Sequence, residues 1–452
     1  MASPVLSLVY GATTLTLSSG SYLISAYTPR NDGEGVDYVS ESAEIMVVAT
    51  STALVQTAVN DIIKAFRQAD IYQNQRYGSP VYVTLTPEGY ATAIRSRLIS
   101  GSCDPTPGIF DPNWGKFRAL ITVSWLRQNF WEDENPTTAT LWNNSGSWTI
   151  TGSASNAYDA TRDNWARVVT TVGGDLPADV SLTIKNTNAT DSTTAYVEDV
   201  YVACGNLDAT QFSYEGEYAV SVGTGATVTG SGLASCSNSS YVNWSWSGTA
   251  EYNPMYWSVP SGSATAYAGK YYNLFMRFTE APSADCDAKF RLSYAVGTAT
   301  AGETAWVPLS STKCLQYIAT MKIPPYPLTD TAAALNLELW LRSSTSGTHT
   351  MKLDFIGVMP TEAGFRRLIP MNSGYSLVWL NRYITDDGFT EALTSYNAAA
   401  QSFVSHTGKG KLQLIPGQTN TLYVLHSKSD QTALPSRTLN IVLSFRAKRR
   451  LL

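Results

Sequence analysis

Only one stretch of the chain carries the apolar spacing of an amphipathic helix, and this limits the possible folds more than any other feature. Between residues 52 and 69, apolar side chains recur every three or four positions, while Asp61 and Lys64 fall on the other face. Ser51 or Thr52 can cap the first turn, because a hydroxyl there accepts a free backbone N–H. The spacing predicts a helix over about 52–69 that packs against a sheet.

The rest of the sequence is typical of short β-strands separated by turns. Phe117–Leu126, Ser181–Lys185 and Leu335–Leu341 are strand-length runs of residues that suit a pleated surface. Between such runs lie clusters of Gly, Pro, Asn, Ser and Thr, which favour turns. The chain holds 32 Gly, 20 Pro, 12 Trp and 26 Tyr, and this composition fits the same class. We therefore expect a mainly β fold with one packing α-helix and two jelly-roll or β-sandwich units.

The pattern of apolar and polar residues along the sequence changes at the acidic run Glu132–Pro136. Residues 1–131 are expected to form a β domain that contains the helix. A β-sandwich unit is expected over 137–206 and a jelly-roll unit over 207–360, where helical spacing is almost absent. The C-terminal segment, 361–452, again mixes strand-like and helix-like patterns, as the first domain does. We therefore expect it to complete that domain.

The C-terminal segment carries two further expectations. Ala392–Phe403 has the length and composition of a short helix. Arg446, Lys448, Arg449 and Arg450 form a small basic tail near the end of the chain. A solvated terminus is the simpler interpretation of this tail, and a salt bridge to another chain is the alternative.

Charge and composition indicate which partners and which cellular compartment to expect for the protein. The net charge of −5 is mild and evenly spread, so no sequence-specific nucleic-acid partner is expected. No run of about 18 apolar residues occurs, so no membrane span is expected. Met1–Pro4 lacks the features of a secretory leader. Five scattered cysteines without a CxxC pair favour reduced thiols in a protein made in a cytoplasm, and a later disulfide between two of the last four stays open. The cysteines are Cys103, Cys204, Cys236, Cys286 and Cys314.

Candidate catalytic and metal-binding residues are few. A glycosidase needs two carboxylates about 5–9.5 Å apart. Glu215 and Glu217 lie two residues apart and would share a strand face, whereas Asp386 and Asp387 precede Gly388 in a turn sequence. Ordinary solvation or turn chemistry explains both pairs. Three histidines stand in separate contexts without metal-ligand spacing to a cysteine or carboxylate. They are His349, His406 and His426. No catalytic residue, metal or cofactor is therefore expected.

A cluster of aromatic residues is the strongest candidate for a binding site. The side chains fall within fourteen residues and are accompanied by amides and hydroxyls. Exposed aromatic rings stack on sugars, so the cluster is compatible with a glycan site. The alternative is that the rings belong to a β-sandwich core or to a contact between subunits. The cluster consists of Trp244, Trp246, Tyr252, Tyr256 and Trp257.

Four stretches of the sequence combine strands, turns and charged residues in a recognisable way, and they touch most of the chain. They are Glu44–Val48 with the following helix and Pro80–Val83; Ala119–Arg127 running into Phe130 and Trp131; Leu176–Asn186; and Leu353–Pro360 followed by Phe365–Leu368. With these stretches the chain resembles minor tail proteins of long-tailed, siphovirus-type phages, and especially distal tail proteins. The middle units also resemble carbohydrate-binding sandwiches, whose final strand often has an acidic residue before apolar ones.

The resemblance implies a structural virion component that is not an enzyme. Its partners would be further copies of itself in a closed homo-oligomeric ring, together with neighbouring tail-tube and tail-tip proteins. The sandwich units would then face outward, where a host-surface glycan is a further expected partner. The alternative function is a carbohydrate-binding adhesin, in which the aromatic cluster recognises the host surface. A glycan-cleaving enzyme is the remote alternative, because no convincing acid/base pair is present.

Overall fold

A computed structural model provides the structure of the chain. It describes residues 4–24, 27–30, 36–75, 77–88, 91–105, 117–142, 165–186, 199–205, 213–219, 221–222, 226–230, 240–259, 269–295, 299–324, 335–361, 363–367, 375–380, 392–397, 402–405, 412–418, 420–427 and 439–450. These residues form many strands and one α-helix, so the predicted mainly β fold is confirmed. No helix in the described ranges is both long and apolar enough to cross a membrane.

The first part of the chain forms a large sheet that is covered by the helix on one face. Its elements are β1 (Val5–Tyr10), β2 (Thr13–Thr16), β3 (Tyr22–Ile24), β4 (Tyr38–Val48), α1 (Thr52–Gln75), β5 (Val81–Thr86), β6 (Ile94–Pro105), β7 (Arg118–Gln128) and β8 (Trp131–Asp133). The strand order is β2-β1-β5-β6-β7-β4-β3, and β8 pairs with β6. Val55, Ile62 and Phe66 of α1 are buried against this sheet. Gly101 provides the room for Phe66, since a Cβ at position 101 would lie 2.3 Å from the ring.

Helix α1 confirms the prediction from the apolar stripe and extends it. The backbone N–H of Leu54 donates to Ser51 Oγ at 3.3 Å, which is the expected cap. The helix continues to Gln75, six residues beyond the predicted end at residue 69. Tyr72 is buried in this extension, and burial of its ring stabilises the additional residues of the helix.

Two six-stranded sheets follow and face each other across an apolar core. They are formed by β13 (Ser213–Glu215), β14 (Ser221–Val222), β15 (Ala226–Gly230), β16 (Ser240–Ser247), β17 (Tyr252–Val259), β18 (Tyr271–Glu280), β19 (Cys286–Ala295), β20 (Ala299–Glu303), β21 (Val307–Pro308), β22 (Leu315–Lys322), β23 (Leu335–Ser343) and β24 (Thr348–Pro360). Four strands that precede them in the chain belong to other sheets: β9 (Thr137–Trp142), β10 (Trp165–Thr170), β11 (Ala178–Asn186) and β12 (Asp199–Gly205). One sheet has the order β15-β16-β24-β18-β22, and β13 pairs with β24. The other has the order β14-β17-β23-β19-β20, and β21 pairs with β19. One shared cluster of buried side chains lies between them, so they form a β-sandwich.

The C-terminal strands join sheets that begin between residues 137 and 205. They are β25 (Ala363–Arg367), β26 (Tyr375–Leu380), β27 (Ala392–Asn397), β28 (Ser402–Ser405), β29 (Gln413–Leu414), β30 (Asn420–Ser427), β31 (Leu439–Phe445) and β32 (Lys448–Arg449). One sheet has the order β10-β30-β12-β25, and another has β28-β27-β26-β11-β31-β9 with β29 beside β11. Of these C-terminal strands, β32 pairs with β8 of the first sheet.

The predicted helix over Ala392–Phe403 is wrong. Residues 392–397 form strand β27, which pairs with β26 on one side and β28 on the other. Alanine and leucine favour a helix locally, but a segment between two extended strands gains ladder hydrogen bonds on both of its edges. Tertiary pairing therefore overrides the local preference.

The basic tail is not simply a solvated terminus, because Arg446, Lys448 and Arg449 are paired within the chain. Arg446 and Lys448 are buried, and Lys448 Nζ forms an ion pair with Asp179. Arg446 Nη1 donates to the carbonyl oxygen of Asp133 at 2.8 Å. Arg449 forms an ion pair with the carboxylate of the same Asp133. The tail therefore joins the last described strand to β8 and β11 within one chain. The sequence did not predict this role, because the partner residues are far away along the chain.

Candidate ligand-binding cleft

The three tryptophans of the aromatic cluster lie in the sandwich core. Trp244, Trp246 and Trp257 are 2, 6 and 3% exposed. Trp244 and Trp246 share one face of β16, as alternation predicts, and their rings stack at 4.5 Å with an interplanar angle of 17°. Side chains of the same chain therefore cover these indole faces, which matches the core alternative of the sequence analysis.

The two tyrosines of the cluster are only partly buried. Tyr252 contacts the ring of Trp244 edge-on at 5.7 Å, and its hydroxyl donates to the carbonyl of Ser247 at 3.2 Å. Tyr256 stands on the other face of β17, opposite Glu338 of β23. The five residues therefore do not form one surface, and a glycan role for the two tyrosines stays a prediction.

The carboxylate pair does not share a strand face. Strand β13 ends at Glu215, and a short 3-10 helix over Gly216–Tyr218 carries Glu217, so the extended alternation assumed for the pair is broken. Asp386 and Asp387 lie outside the described residues.

The histidines and cysteines form no metal cluster in the described ranges. His349 Nδ1 lies 3.7 Å from Cys286 Sγ in the sandwich core, a contact that the sequence did not predict. Described His, Cys, Asp and Glu side chains form no group of three that could hold a metal ion. Four cysteines are free thiols: Cys103, Cys204, Cys286 and Cys314. Burial raises the pKa of the Cys286 thiol to about 11. Cys236, His406 and the side chain of His426 lie outside the described part.

An aromatic cleft of about 500 Å³ lies on the outer face of the sandwich, a volume in the range of small-ligand sites. Strands β18, β22 and the end of β24 form one side, and β12 and β25 form the other. Tyr271 and Tyr317 are 53 and 37% exposed at its surface. Phe275, Met359 and Tyr201 are buried beneath them.

A β-bulge brings the polar and aromatic side chains of β22 to the same face. Leu274 pairs with Ala319, but the next residue, Phe275, pairs with Tyr317, so Ile318 is the extra residue. Ile318 enters the core, whereas Tyr317 and Thr320 are both exposed on the outside. On a regular strand, residues three apart point to opposite faces. The bulge therefore places the side chains of Tyr317 and Thr320 on the same face of the sheet, where both line the cleft.

A short hydrogen-bond chain connects the polar groups of the cleft. The Thr320 hydroxyl donates to Asn273 Oδ1 at 2.7 Å, so the Tyr317 hydroxyl, 2.8 Å from Thr320 Oγ1, donates to the threonine. Asn273 lies opposite Thr320 in the strand pairing. No hydrogen bond from Asn273 Nδ2 is present in the described part of the chain. Its two N–H groups are therefore available to a ligand.

The floor of the cleft is a second apolar core between the sandwich and the sheet that contains β12. The ring of Tyr201 meets that of Phe275 edge-on at 4.5 Å. Within the sheet that contains β12, close pairing of β25 with β12 depends on Gly364, because a Cβ at this position would lie 2.7 Å from the carbonyl oxygen of Val202. Beside this core, Arg277 and Asp354 form a buried ion pair at 2.8 Å between β18 and β24. The cleft is therefore held on packed strands rather than on loops.

The chemistry of the cleft suits recognition of an uncharged ring with hydroxyl groups. Tyrosine faces offer apolar surface with a polar edge, while the amide and hydroxyls orient a partner through hydrogen bonds. The described residues that line the cleft include no aspartate or glutamate, so they offer no acid/base pair. The Lys322 ammonium lies at the rim, where its Nζ is 5.6 Å from the centre of the Tyr271 ring.

Sequence reasoning did not identify this cleft. One signal was present, since Tyr271, Asn273 and Phe275 alternate along one strand face. The bulge at Ile318 and the opposing wall from Tyr201 could not be read from local patterns, because both depend on pairing between distant strands.

Comparison with known proteins gives only low similarities. No known protein-family profile matches the chain, and no curated protein matches it. Among solved structures, the phage P2 baseplate in its activated conformation with calcium is 7% identical over the whole of both chains, with a TM-score of 0.28. An exo-β-1,3-galactanase from Phanerochaete chrysosporium is 11% identical over 70% of this chain and 54% of that chain, with a TM-score of 0.22. A carbohydrate-binding module of the β-sandwich superfamily is 10% identical over 62% of this chain and 91% of that chain, with a TM-score of 0.21.

Proposed function

We propose that the chain is a non-catalytic structural protein of a phage tail that binds a host-surface glycan in the aromatic cleft. The main support for the binding function is the cleft, in which Tyr271 and Tyr317 flank the hydrogen-bonded pair Asn273 and Thr320. The place in a tail is proposed from the four stretches that resemble minor tail proteins.

Three properties of the cleft support binding of a sugar. Its volume of about 500 Å³ accommodates one or two sugar rings. The exposed tyrosines provide the apolar surface on which the C–H face of a sugar stacks. The strand-borne polar groups are already ordered by mutual hydrogen bonds, which lowers the entropic cost of orienting a ligand.

Glycan-array screening of the full chain, followed by calorimetry with the best ligand, tests this function. Tyr271→Ala is expected to weaken binding about tenfold, which corresponds to about 1.4 kcal/mol of lost stacking. Tyr77→Ala is the matched control, because Tyr77 is more exposed and belongs to the first sheet region. Equal binding by the wild type and Tyr271→Ala, or no glycan binding at all, would contradict the proposal.

Assembly into a closed ring is a separate proposal and concerns the structural role. Ring symmetry would give each copy identical neighbours and satisfy surfaces that a single chain leaves open. The mass of the purified full chain in solution, with negative-stain images, measures this directly. A stable monomer at every concentration, both alone and mixed with the tail-tube and tail-tip proteins, would overturn the proposal.

A further inference from the structure

The face of the first sheet opposite helix α1 carries three adjacent rows of side chains. Direct strand pairing places Leu23, Met46 and Leu120 in one row across β3, β4 and β7. Leu23 and Leu120 are 49 and 37% exposed, although the helix-facing residues of the same strands are buried. The row is therefore an apolar strip on the surface of the chain.

The rows on either side of this apolar strip carry opposite charges. On one side, Glu44 pairs with Thr122 of β7, which pairs in turn with Asp104 of β6. On the other side, Val48 pairs with Arg118. The three charged residues are exposed. Each charged row lies two residues from the apolar strip along the strands, or about 7 Å.

We propose that this face binds the same face of a second copy of the chain about a two-fold axis. An axis along the apolar strip superimposes the strip on itself and places the acidic row of one copy over the basic row of the other. Arg118 then lies over Thr122 of the second copy, between its Glu44 and Asp104. The pattern is thus complementary to itself, which is the requirement for a two-fold interface.

The inference goes beyond glycan binding, and it deepens the proposed assembly by naming one contact. A two-fold face joins two copies, whereas a ring needs a head-to-tail contact as well. The face therefore predicts at least a dimer, whatever else the chain binds.

Analytical ultracentrifugation of the full chain tests the face. The wild type is expected to dimerise, and Leu120→Asp is expected to weaken dimerisation about tenfold or more, because it puts a charge in the centre of the apolar strip. Leu54→Asp is the matched control: Leu54 is 50% exposed, against 37% for Leu120, but it lies on helix α1, so dimerisation is expected to be unchanged.

A charge exchange tests the geometry itself. Arg118→Glu is expected to weaken the dimer, and Glu44→Arg combined with Arg118→Glu is expected to restore it, because the opposite charges then meet again in exchanged positions. A wild type that stays monomeric would overturn assembly of the chain by itself. An oligomer that Leu120→Asp leaves intact, or a double variant no tighter than Arg118→Glu, would overturn this face while leaving assembly elsewhere on the chain.

Discussion

Trp246→Ala separates a core role from a binding role for the aromatic cluster. The Trp246 indole is 6% exposed, stacks on Trp244 and lies 5.5 Å from the His349 ring. Burying about 200 Å² of aromatic surface at about 25 cal/mol per Å² contributes about 5 kcal/mol. Alanine keeps a small part of this area, and the cavity left behind cannot fully collapse. We therefore expect a loss of about 4 kcal/mol, within the range for large aromatic truncations.

The measurement is denaturant unfolding followed by tryptophan fluorescence, with glycan binding measured where the variant is folded. Trp246→Phe is the control: Nε1 of Trp246 is buried and has no hydrogen-bond partner among the described residues, so phenylalanine loses area but also removes an unsatisfied donor. It should cost less than half as much as alanine. Wild-type stability of Trp246→Ala, or loss of glycan binding by the folded variant, would refute the assignment of this indole to the core.

Further predictions concern buried charges and thiols. Glu41→Gln should cost about 3–5 kcal/mol in urea unfolding, because it leaves Arg127, which now holds Glu41 Oε1 at 2.6 Å, buried without its charge partner. Lys448→Met should destabilise the chain by a similar amount by stranding buried Asp179, and thermal unfolding measures this. The Cys286 thiol, whose pKa burial raises to about 11, should be alkylated slowly at pH 8 until the protein unfolds. Since its ordinary pKa is 9.0, its contribution to stability should be complete below pH 9 and lost as the pH rises through about 11.

Features that depend on local periodicity could be predicted from the sequence. The stripe that began at Leu54 predicted α1, because a helical repeat is visible within a few turns of sequence. Alternation placed Trp244 and Trp246 on one strand face, and the structure confirms that they share it. Whether these two indoles met a second sheet or a ligand was not predictable, since alternation shows which side chains share a face but not what covers that face.

Features that depend on distant pairing could not be predicted. The cleft combines Tyr201 with residues of β18, β22 and β24, and its geometry depends on one extra residue at Ile318. The basic tail appeared free because its carboxylate partners, including Asp179, lie hundreds of residues earlier. Local sequence patterns cannot identify partners at that distance along the chain. The high density of positive charge near Arg446 was nevertheless a signal that carboxylate partners exist.

The two proposed surfaces have a joint consequence for binding strength. A single shallow site with two exposed tyrosines, such as Tyr271 and Tyr317, contributes only a few kcal/mol and therefore binds weakly. Pairing through the Leu120 face would hold two clefts at a fixed separation, so that binding of the second sugar on one surface becomes intramolecular. Avidity for a surface dense in glycans would then exceed the affinity for a free sugar, and Leu120→Asp should lower the former without changing the latter. Under these two proposals, weak sites joined by symmetric assembly are sufficient for firm attachment. The cleft of a single copy then does not need to bind its sugar tightly.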